Sequence, residues 1–145
     1  MGQGKGRGEN GSGDDPARIA SGIYADVWLF GDALRSFNDL ALNKGDQDAL
    51  RASVTLRRYF ERFANAGPQA LSEKMFKKLG DFKDGRGNTV GVFEFKCYQV
   101  RIYGVIRQLR GKRAFVGTAC DLKKKQDKAD QSMIRRAAEQ AGKVE

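Results

Sequence analysis

The chain has no histidine, and its 145 residues include only two cysteines, two prolines and one tryptophan. Histidine is the most frequent general acid or base near neutral pH and the most frequent metal ligand. Its absence excludes a Ser-His-Asp or Cys-His catalytic arrangement. Cys97 and Cys120 lie far apart in predicted strands without CxxC spacing, so we expect reduced thiols and no zinc site. The sequence implies no metal and no cofactor, and any catalysis would depend on Lys, Arg, Tyr, Asp or Glu.

Long apolar runs are also absent from the sequence. No stretch approaches the roughly 20 apolar residues that a membrane span requires. The polar N-terminus lacks the apolar segment of a secretory signal. With a hydrophobic fraction of 40%, the composition predicts one globular cytoplasmic domain with no membrane partner.

Large apolar residues are scarce in the segment from Met1 to Ser21, which is rich in glycine and charge. Such a segment cannot bury enough apolar surface to offset the entropy lost on ordering. We therefore predict a disordered arm over residues 1–21 and a folded domain over residues 22–145.

Positive charge is in excess, and it is distributed unevenly along the chain. The net charge is +9, yet the first 72 residues carry nine basic and nine acidic side chains. The remaining residues carry eighteen basic side chains against nine acidic ones. Charge concentrated in one half of a chain favours an acidic partner such as nucleic acid.

Hydrophobic periodicity predicts one strand and two helices in the first half of the chain. The aromatic and β-branched run Tyr24–Phe30 is typical of a strand. A helix is expected to begin at an N-cap, Asp32, and to end near Asn43. Asp46 can cap a second helix, which Gly67-Pro68 would end near Ala66.

The second half is predicted to contain three strands and a last helix. The strands are expected at Val90–Cys97, Gln99–Arg107 and Arg113–Cys120, with the helix over residues 127–142 and a short helical or extended connector at Leu71–Leu79. The order β-α-α-β-β-β-α predicts an α+β fold, with a small antiparallel sheet and two helices packed on one face. The opposite face is expected to be open and concave.

Basic side chains alternate with apolar ones along the predicted strands. Lys96, Arg101 and Arg107 would give each strand one apolar face and one cationic face, and Glu94 shares the face of Lys96. A sheet of this kind can bind a polyanion. The pattern leaves open whether it cleaves RNA, only binds it, or does neither.

The order of elements and four segments resemble the RelE/ParE/HigB superfamily of bacterial toxins, most closely its HigB-like, phage-derived members. The segments are FKKL at Phe76–Leu79, VFEFK at Val92–Lys96, YQVRIYGV at Tyr98–Val105, and RAFVGTACDLKKKQDK leading into SMIRRA at Arg113–Ala137. The resemblance implies a RelE-like fold over residues 22–145. It also implies a type II toxin, a ribosome-dependent mRNA endoribonuclease that inhibits translation and is neutralised by a cognate antitoxin.

The resemblance implies roles for individual residues as well. Arg101, Lys96 and Lys124 are the candidate catalytic residues of a metal-independent cleavage, in which the ribose 2′-OH attacks its own phosphate and the cations stabilise the developing charge. Two tyrosines could stack on bases, and the basic segment could bind the RNA backbone. The candidate RNA-binding residues are Lys123, Lys125, Tyr98, Tyr103, Arg113 and Lys128.

A second hypothesis belongs to a different functional class. HigB-like proteins often carry a histidine just before the basic segment, where this chain has Ala119. The missing histidine favours a RelE/ParE-fold protein without nuclease activity. Such a protein would be either a gyrase-directed toxin or a basic nucleic-acid-binding module.

Overall fold

The computed structural model describes residues 15–43, 45–122 and 130–145, which contain six strands and three helices. In chain order these are β1 (Ala17–Ser21), β2 (Asp26–Leu29), α1 (Gly31–Leu42), α2 (Gln47–Ala66), β3 (Phe76–Lys83), β4 (Thr89–Cys97), β5 (Val100–Leu109), β6 (Lys112–Asp121) and α3 (Gln131–Ala141). The predicted α+β class is confirmed. Within the described ranges, no helix is both long and apolar enough to cross a membrane.

The strands form one mixed sheet in the order β1-β2-β6-β5-β4-β3. Strands β2 and β6 are parallel, and every other neighbouring pair is antiparallel. The prediction of a small antiparallel sheet is therefore wrong. Two helices separate β2 from the later strands, and a connection of that length lets β2 run parallel to β6.

Strand β1 lies inside the segment predicted to be a disordered arm. Ala17–Ser21 pairs antiparallel with Asp26–Leu29, and the hydroxyl of Ser21 donates a hydrogen bond to the Asp26 carboxylate. The strand contains one large apolar residue, Ile19, which left little signal in the sequence. Residues 1–14 of the predicted arm lie outside the described residues.

Strand β3 replaces the end of the predicted connector and continues to Lys83. It pairs antiparallel with β4 and has an irregularity between Lys78 and Gly80. Phe76 anchors β3 to the sheet, since its ring stacks on Phe93 and packs against Phe95. The bulge breaks the alternation of side chains, which is why the segment did not resemble a strand.

Helices α1 and α2 cover one face of the sheet, as predicted. The prediction of Asp32 as the N-cap of α1 is wrong, since α1 begins at Gly31 and Asp32 lies in its first turn. The Asp46 side chain accepts a hydrogen bond from the Ala49 backbone N–H and caps α2, and Gly67, with φ of 83°, ends it. The apolar sides of both helices meet the aromatic side chains of the sheet in one core. Its largest members are Phe37, Phe60, Phe63, Phe95 and Phe115.

Helix α3 covers much of the opposite face, so the prediction that this face is open is wrong. Ile134 and the alanines of α3 pack against Val92 and Val105. The Thr118 hydroxyl donates to the Ala137 carbonyl at 2.8 Å, and Arg107 donates to the Ala141 carbonyl at 2.7 Å. The apolar stripe of α3 was visible in the sequence, but the surface that buries it was not.

A buried carboxylate links the first two strands to β6. Asp26 is 4% exposed and accepts hydrogen bonds from Lys112 Nζ at 2.7 Å and Ser21 Oγ at 2.6 Å. Burial alone would raise the pKa of Asp26, but the hydrogen bonds from Lys112 and Ser21 and the nearby positive charges lower it overall. A carboxyl group with a lowered pKa stabilises the fold above its unfolded pKa of about 3.9 and loses this effect as the pH falls through its folded pKa.

Replacing Asp26 by asparagine is expected to lower the free energy of unfolding at pH 7 by about 1–3 kcal/mol, since the Lys112 charge loses its partner. The difference from the native protein should shrink as the pH falls below about 4. Urea unfolding at pH 7 and pH 3 measures both effects. Asp32→Asn, at an exposed ion pair with Arg35, is the control and should change stability by less than about 1 kcal/mol. An equal loss of unfolding free energy at pH 7 and pH 3 would contradict the electrostatic explanation.

Candidate nucleic-acid interface

The β4–β5 hairpin places the predicted catalytic residues Lys96 and Arg101 side by side. Lys96 lies directly opposite Arg101, and Glu94 lies opposite Tyr103. Since side chains alternate along a strand, all four lie on the face of the sheet that α3 covers. The chain turns back at Tyr98, and the short turn makes this pairing obligatory.

Arg101 is held in place by the backbone of the turn. Its side chain is 15% exposed, and its Nη1 donates hydrogen bonds to the Tyr98 carbonyl at 2.7 Å and the Val100 carbonyl at 3.0 Å. Its Nε lies 3.9 Å from Glu94 Oε1. The guanidinium is therefore a fixed positive charge at the end of the sheet, with little freedom to move.

A pocket of about 370 Å³ opens beside this guanidinium. Lys74, Lys96 and Arg101 contribute three positive charges to its wall, and Tyr59 and Tyr98 contribute two aromatic rings. Of the described residues that line it, none is acidic. Such a wall attracts a phosphate group, and the planar fork of arginine can bind two of its oxygens.

Tyr98 lies at the rim of this cationic pocket. Its side chain is 60% exposed, and its φ of 55° places it in the left-handed region, which a non-glycine residue adopts at some energetic cost. An exposed tyrosine ring beside cations can stack on an unpaired base. The predicted role of Tyr98 is thus compatible with its position.

Comparisons with protein-family models, with curated proteins and with solved structures found no match. No group of three His, Cys, Asp or Glu side chains that could bind a metal ion occurs within residues 15–43, 45–122 and 130–145.

Two other groups in the pocket wall are poor acids at neutral pH. Burial raises the pKa of the Cys97 thiol, although hydrogen bonding to Thr55 partly offsets the effect. Burial also raises the pKa of Tyr59, and the neighbouring Cys97 adds to that shift. Both groups are therefore protonated near neutral pH, and Cys97 is not an activated nucleophile.

Two predicted RNA-binding residues lie away from the pocket surface. Tyr103 is fully buried beneath α3, so its ring cannot stack on a base in this conformation. Burial raises its pKa far above the usual value, and the charges of Glu94 and Asp121 add to this. Arg113 lies eight residues before Asp121 on β6, about 26 Å along the strand, and its guanidinium lies 4.2 Å from the Tyr24 ring centroid.

The remaining predicted site residues belong to the basic segment between β6 and α3. Strand β6 ends at Asp121, and the N-cap of α3 is Asp130. The four lysines lie outside the described residues, so their roles stay predictions. They are Lys123, Lys124, Lys125 and Lys128.

Glu94 also belongs to the site, although the sequence alone indicated no role for it. It is 2% exposed, and its carboxylate lies 3.9 Å from both Lys77 Nζ and Arg101 Nε. Glu94 Oε1, Arg101 Nε and the Tyr103 hydroxyl have no hydrogen-bond partner among the described residues. The signal in the sequence was a carboxylate between two phenylalanines, in phase with Lys96.

Lys74 and Tyr59 were also not identified from the sequence. Lys74 precedes β3, and Tyr59 lies on α2, so neither is close to Arg101 along the chain. Their positions depend on how α2 packs against β4. No local pattern in the sequence indicated that Lys74 and Tyr59 would line the same pocket as Arg101.

Proposed function

We propose that this chain is a type II toxin of the RelE/HigB kind, a ribosome-dependent endoribonuclease that cleaves mRNA and inhibits translation. The observation that carries the proposal is the cationic pocket, in which Lys96 and Arg101 are cross-strand neighbours and Lys74 joins them from another segment. A wall to which the described residues contribute three cations and no acidic side chain is suited to a polyanion.

The order of elements supports the RelE-like part of the proposal. From β2 onward the chain contains a strand, two helices, the β4-β5-β6 meander and a last helix. The full order is β-β-α-α-β-β-β-β-α, which contains the predicted order β-α-α-β-β-β-α with β1 and β3 added at the two edges of the sheet. An antitoxin and the ribosome are the partners that the proposal requires.

The proposed reaction needs no metal. The ribose 2′-oxygen attacks the adjacent phosphorus, its proton leaves, and the bond from phosphorus to the 5′-oxygen breaks. The 5′-oxygen takes up a proton, and the products are a 2′,3′-cyclic phosphate and a 5′-hydroxyl. Arg101 would stabilise the charge on the phosphoryl oxygens, and Lys96 would bind the phosphate or take part in proton transfer.

Removing two of the three cations of the pocket tests the proposal. Short pulses of expression, followed by primer extension on transcripts, should show cleaved mRNA and arrested translation for the native chain. In Lys96→Ala/Arg101→Ala, cleavage should fall by about 100-fold or more, since charge stabilisation at the phosphate is lost. Lys83→Ala/Arg86→Ala removes the same charge at the opposite end of β4 and should cleave like the native chain.

Intact transcripts and undiminished translation during expression of the native chain would contradict the proposal. Full toxicity of Lys96→Ala/Arg101→Ala, with folding confirmed by circular dichroism, would exclude the proposed catalytic pair. The control variant Lys83→Ala/Arg86→Ala has the same net charge as Lys96→Ala/Arg101→Ala, so a difference between the two variants does not come from net charge.

Binding without cleavage is the second candidate function, and one observation favours it. The Arg101 guanidinium already donates to two backbone carbonyls, and the described pocket residues include neither a histidine nor an ionised thiol. DNA-damage signalling without translation arrest would select a gyrase-directed toxin. Association with RNA and no effect on either process would select a basic binding module.

A further inference from the structure

Three of the four buried side-chain atoms without a hydrogen-bond partner among the described residues lie close together. They are Glu94 Oε1, Arg101 Nε and the Tyr103 hydroxyl, and the fourth, Trp28 Nε1, lies on β2. Glu94 and Tyr103 are direct cross-strand neighbours, and Arg101 lies two residues before Tyr103 on β5. The buried atoms without a hydrogen-bond partner are therefore concentrated behind the cationic pocket.

Packing alone does not account for a carboxylate at this position. On the same face of the sheet, the cross-strand pair two residues further along is Val92 and Val105, both fully buried beneath α3. An apolar side chain in place of a buried ion pair is often neutral or stabilising. Stability therefore does not explain why a carboxylate is buried here, and its effect on neighbouring charged groups is the alternative explanation.

Arg101 is the neighbour on which Glu94 acts most directly. The carboxylate lies 3.9 Å from Arg101 Nε, with Lys77 at the same distance on its other oxygen. The Arg101 side chain is 15% exposed, whereas that of Lys77 is 40% exposed. Charges attract more strongly where water is excluded, so Glu94 interacts more strongly with Arg101 than with Lys77.

We propose that Glu94 is a positioning residue, which holds the Arg101 guanidinium against the wall of the cationic pocket; this inference rests on the proposed RNA site. The two turn carbonyls bind one end of the guanidinium, and Glu94 attracts its Nε side. Together they fix the plane of the fork before any phosphate enters. The favourable contribution is preorganisation, since a charge already in place needs no rearrangement when the ligand binds.

The sign of the expected effect separates positioning from simple charge. Glu94→Gln makes the protein more positive, which by itself would strengthen any interaction with RNA. Positioning predicts the opposite result. In a reconstituted translation reaction, we expect mRNA cleavage by full-length Glu94→Gln to fall by about tenfold, as for other small displacements of a functional group.

The matched control is Asp26→Asn, which removes another buried carboxylate from a pair with a lysine, on β2. It should cleave mRNA within about twofold of the native rate, at a temperature at which all variants are folded. In an Arg101→Lys background, the effect of Glu94→Gln should shrink, because residues that act through one another are not additive. Equal effects in both backgrounds, or cleavage by Glu94→Gln at the native rate or faster, would overturn the proposal.

A spectroscopic measurement keeps this inference separate from the proposed function. In ¹⁵N-labelled protein, Arg101→Lys identifies the Arg101 Nε–H resonance by its disappearance. Glu94→Gln should shift this resonance and speed its exchange with water, whereas Asp26→Asn should leave it unchanged. If the native chain cleaves no mRNA, the proposed function fails, and this resonance still decides the positioning. An unchanged Nε–H resonance in Glu94→Gln overturns it.

Discussion

Replacing Phe63 by alanine is expected to lower the free energy of unfolding by about 3–5 kcal/mol, the usual cost of removing a fully buried phenylalanine ring. Phe63 lies on α2 and is fully buried. Its ring packs edge-on near Tyr24, Phe95 and Phe115 and in a tilted contact with Phe76. One side chain therefore joins α2 to three strands, and its loss leaves a cavity that no single neighbour can fill.

Chemical denaturation measures this loss, provided that the free energy of unfolding falls with denaturant concentration at the same slope in both proteins. Leu50→Ala is the matched control, because it shortens an apolar side chain on the same helix at a position that is 49% exposed. It should cost less than about 0.5 kcal/mol. A loss below about 1 kcal/mol for Phe63→Ala would show that the aromatic core rearranges around the missing ring.

Replacing Gly104 by alanine is expected to cost about 3 kcal/mol, the upper part of the range for overpacking a core. An added Cβ would lie 2.3 Å from the Val116 carbonyl oxygen and 2.7 Å from the Gly117 Cα. Both are backbone atoms of β6, so β5 and β6 must move apart. The register between the two strands already shifts at this point, between Tyr103 and Gly104.

Thermal and urea unfolding measure the cost, with Gly45→Ala as control, since no heavy atom lies within 4 Å of a Cβ added there. The control should be neutral or slightly stabilising. Because Arg101 lies on the same strand, three residues before Gly104, Gly104→Ala should also weaken cleavage under conditions in which the variant is folded. Native stability in Gly104→Ala would mean that the two strands separate at little cost.

Features that depend on neighbouring residues were predicted well from the sequence. The Asp46 cap and the end of α2 at Gly67 depend on one hydrogen-bonded turn and one glycine. The hairpin between β5 and β6 turns at Arg110 and Gly111, with φ of 55° and 84°, the geometry of a tight two-residue turn.

Features that depend on distant partners were missed. Ala17–Ser21 has almost no intrinsic strand signal, and it becomes a strand because β2 offers backbone partners. The parallel pairing of β2 with β6 depends on the path of two helices. Even a correct alternation pattern could not show that Tyr103 would be buried, because that depends on the face against which α3 packs.

By itself, the sequence determined the α+β class, the approximate positions of the helices, the Asp46 cap of α2, the β4-β5-β6 meander and the concentration of positive charge in the second half. It also excluded any chemistry based on histidine. These properties depend on composition and on contacts within a few residues. The tertiary structure alone decided that Lys74 and Tyr59 complete the pocket, that Arg113 lies far from it, and that Glu94 is buried behind Arg101. Burial and the electrostatic neighbours of a charge depend on segments distant along the chain, and a local pattern contains no information about them.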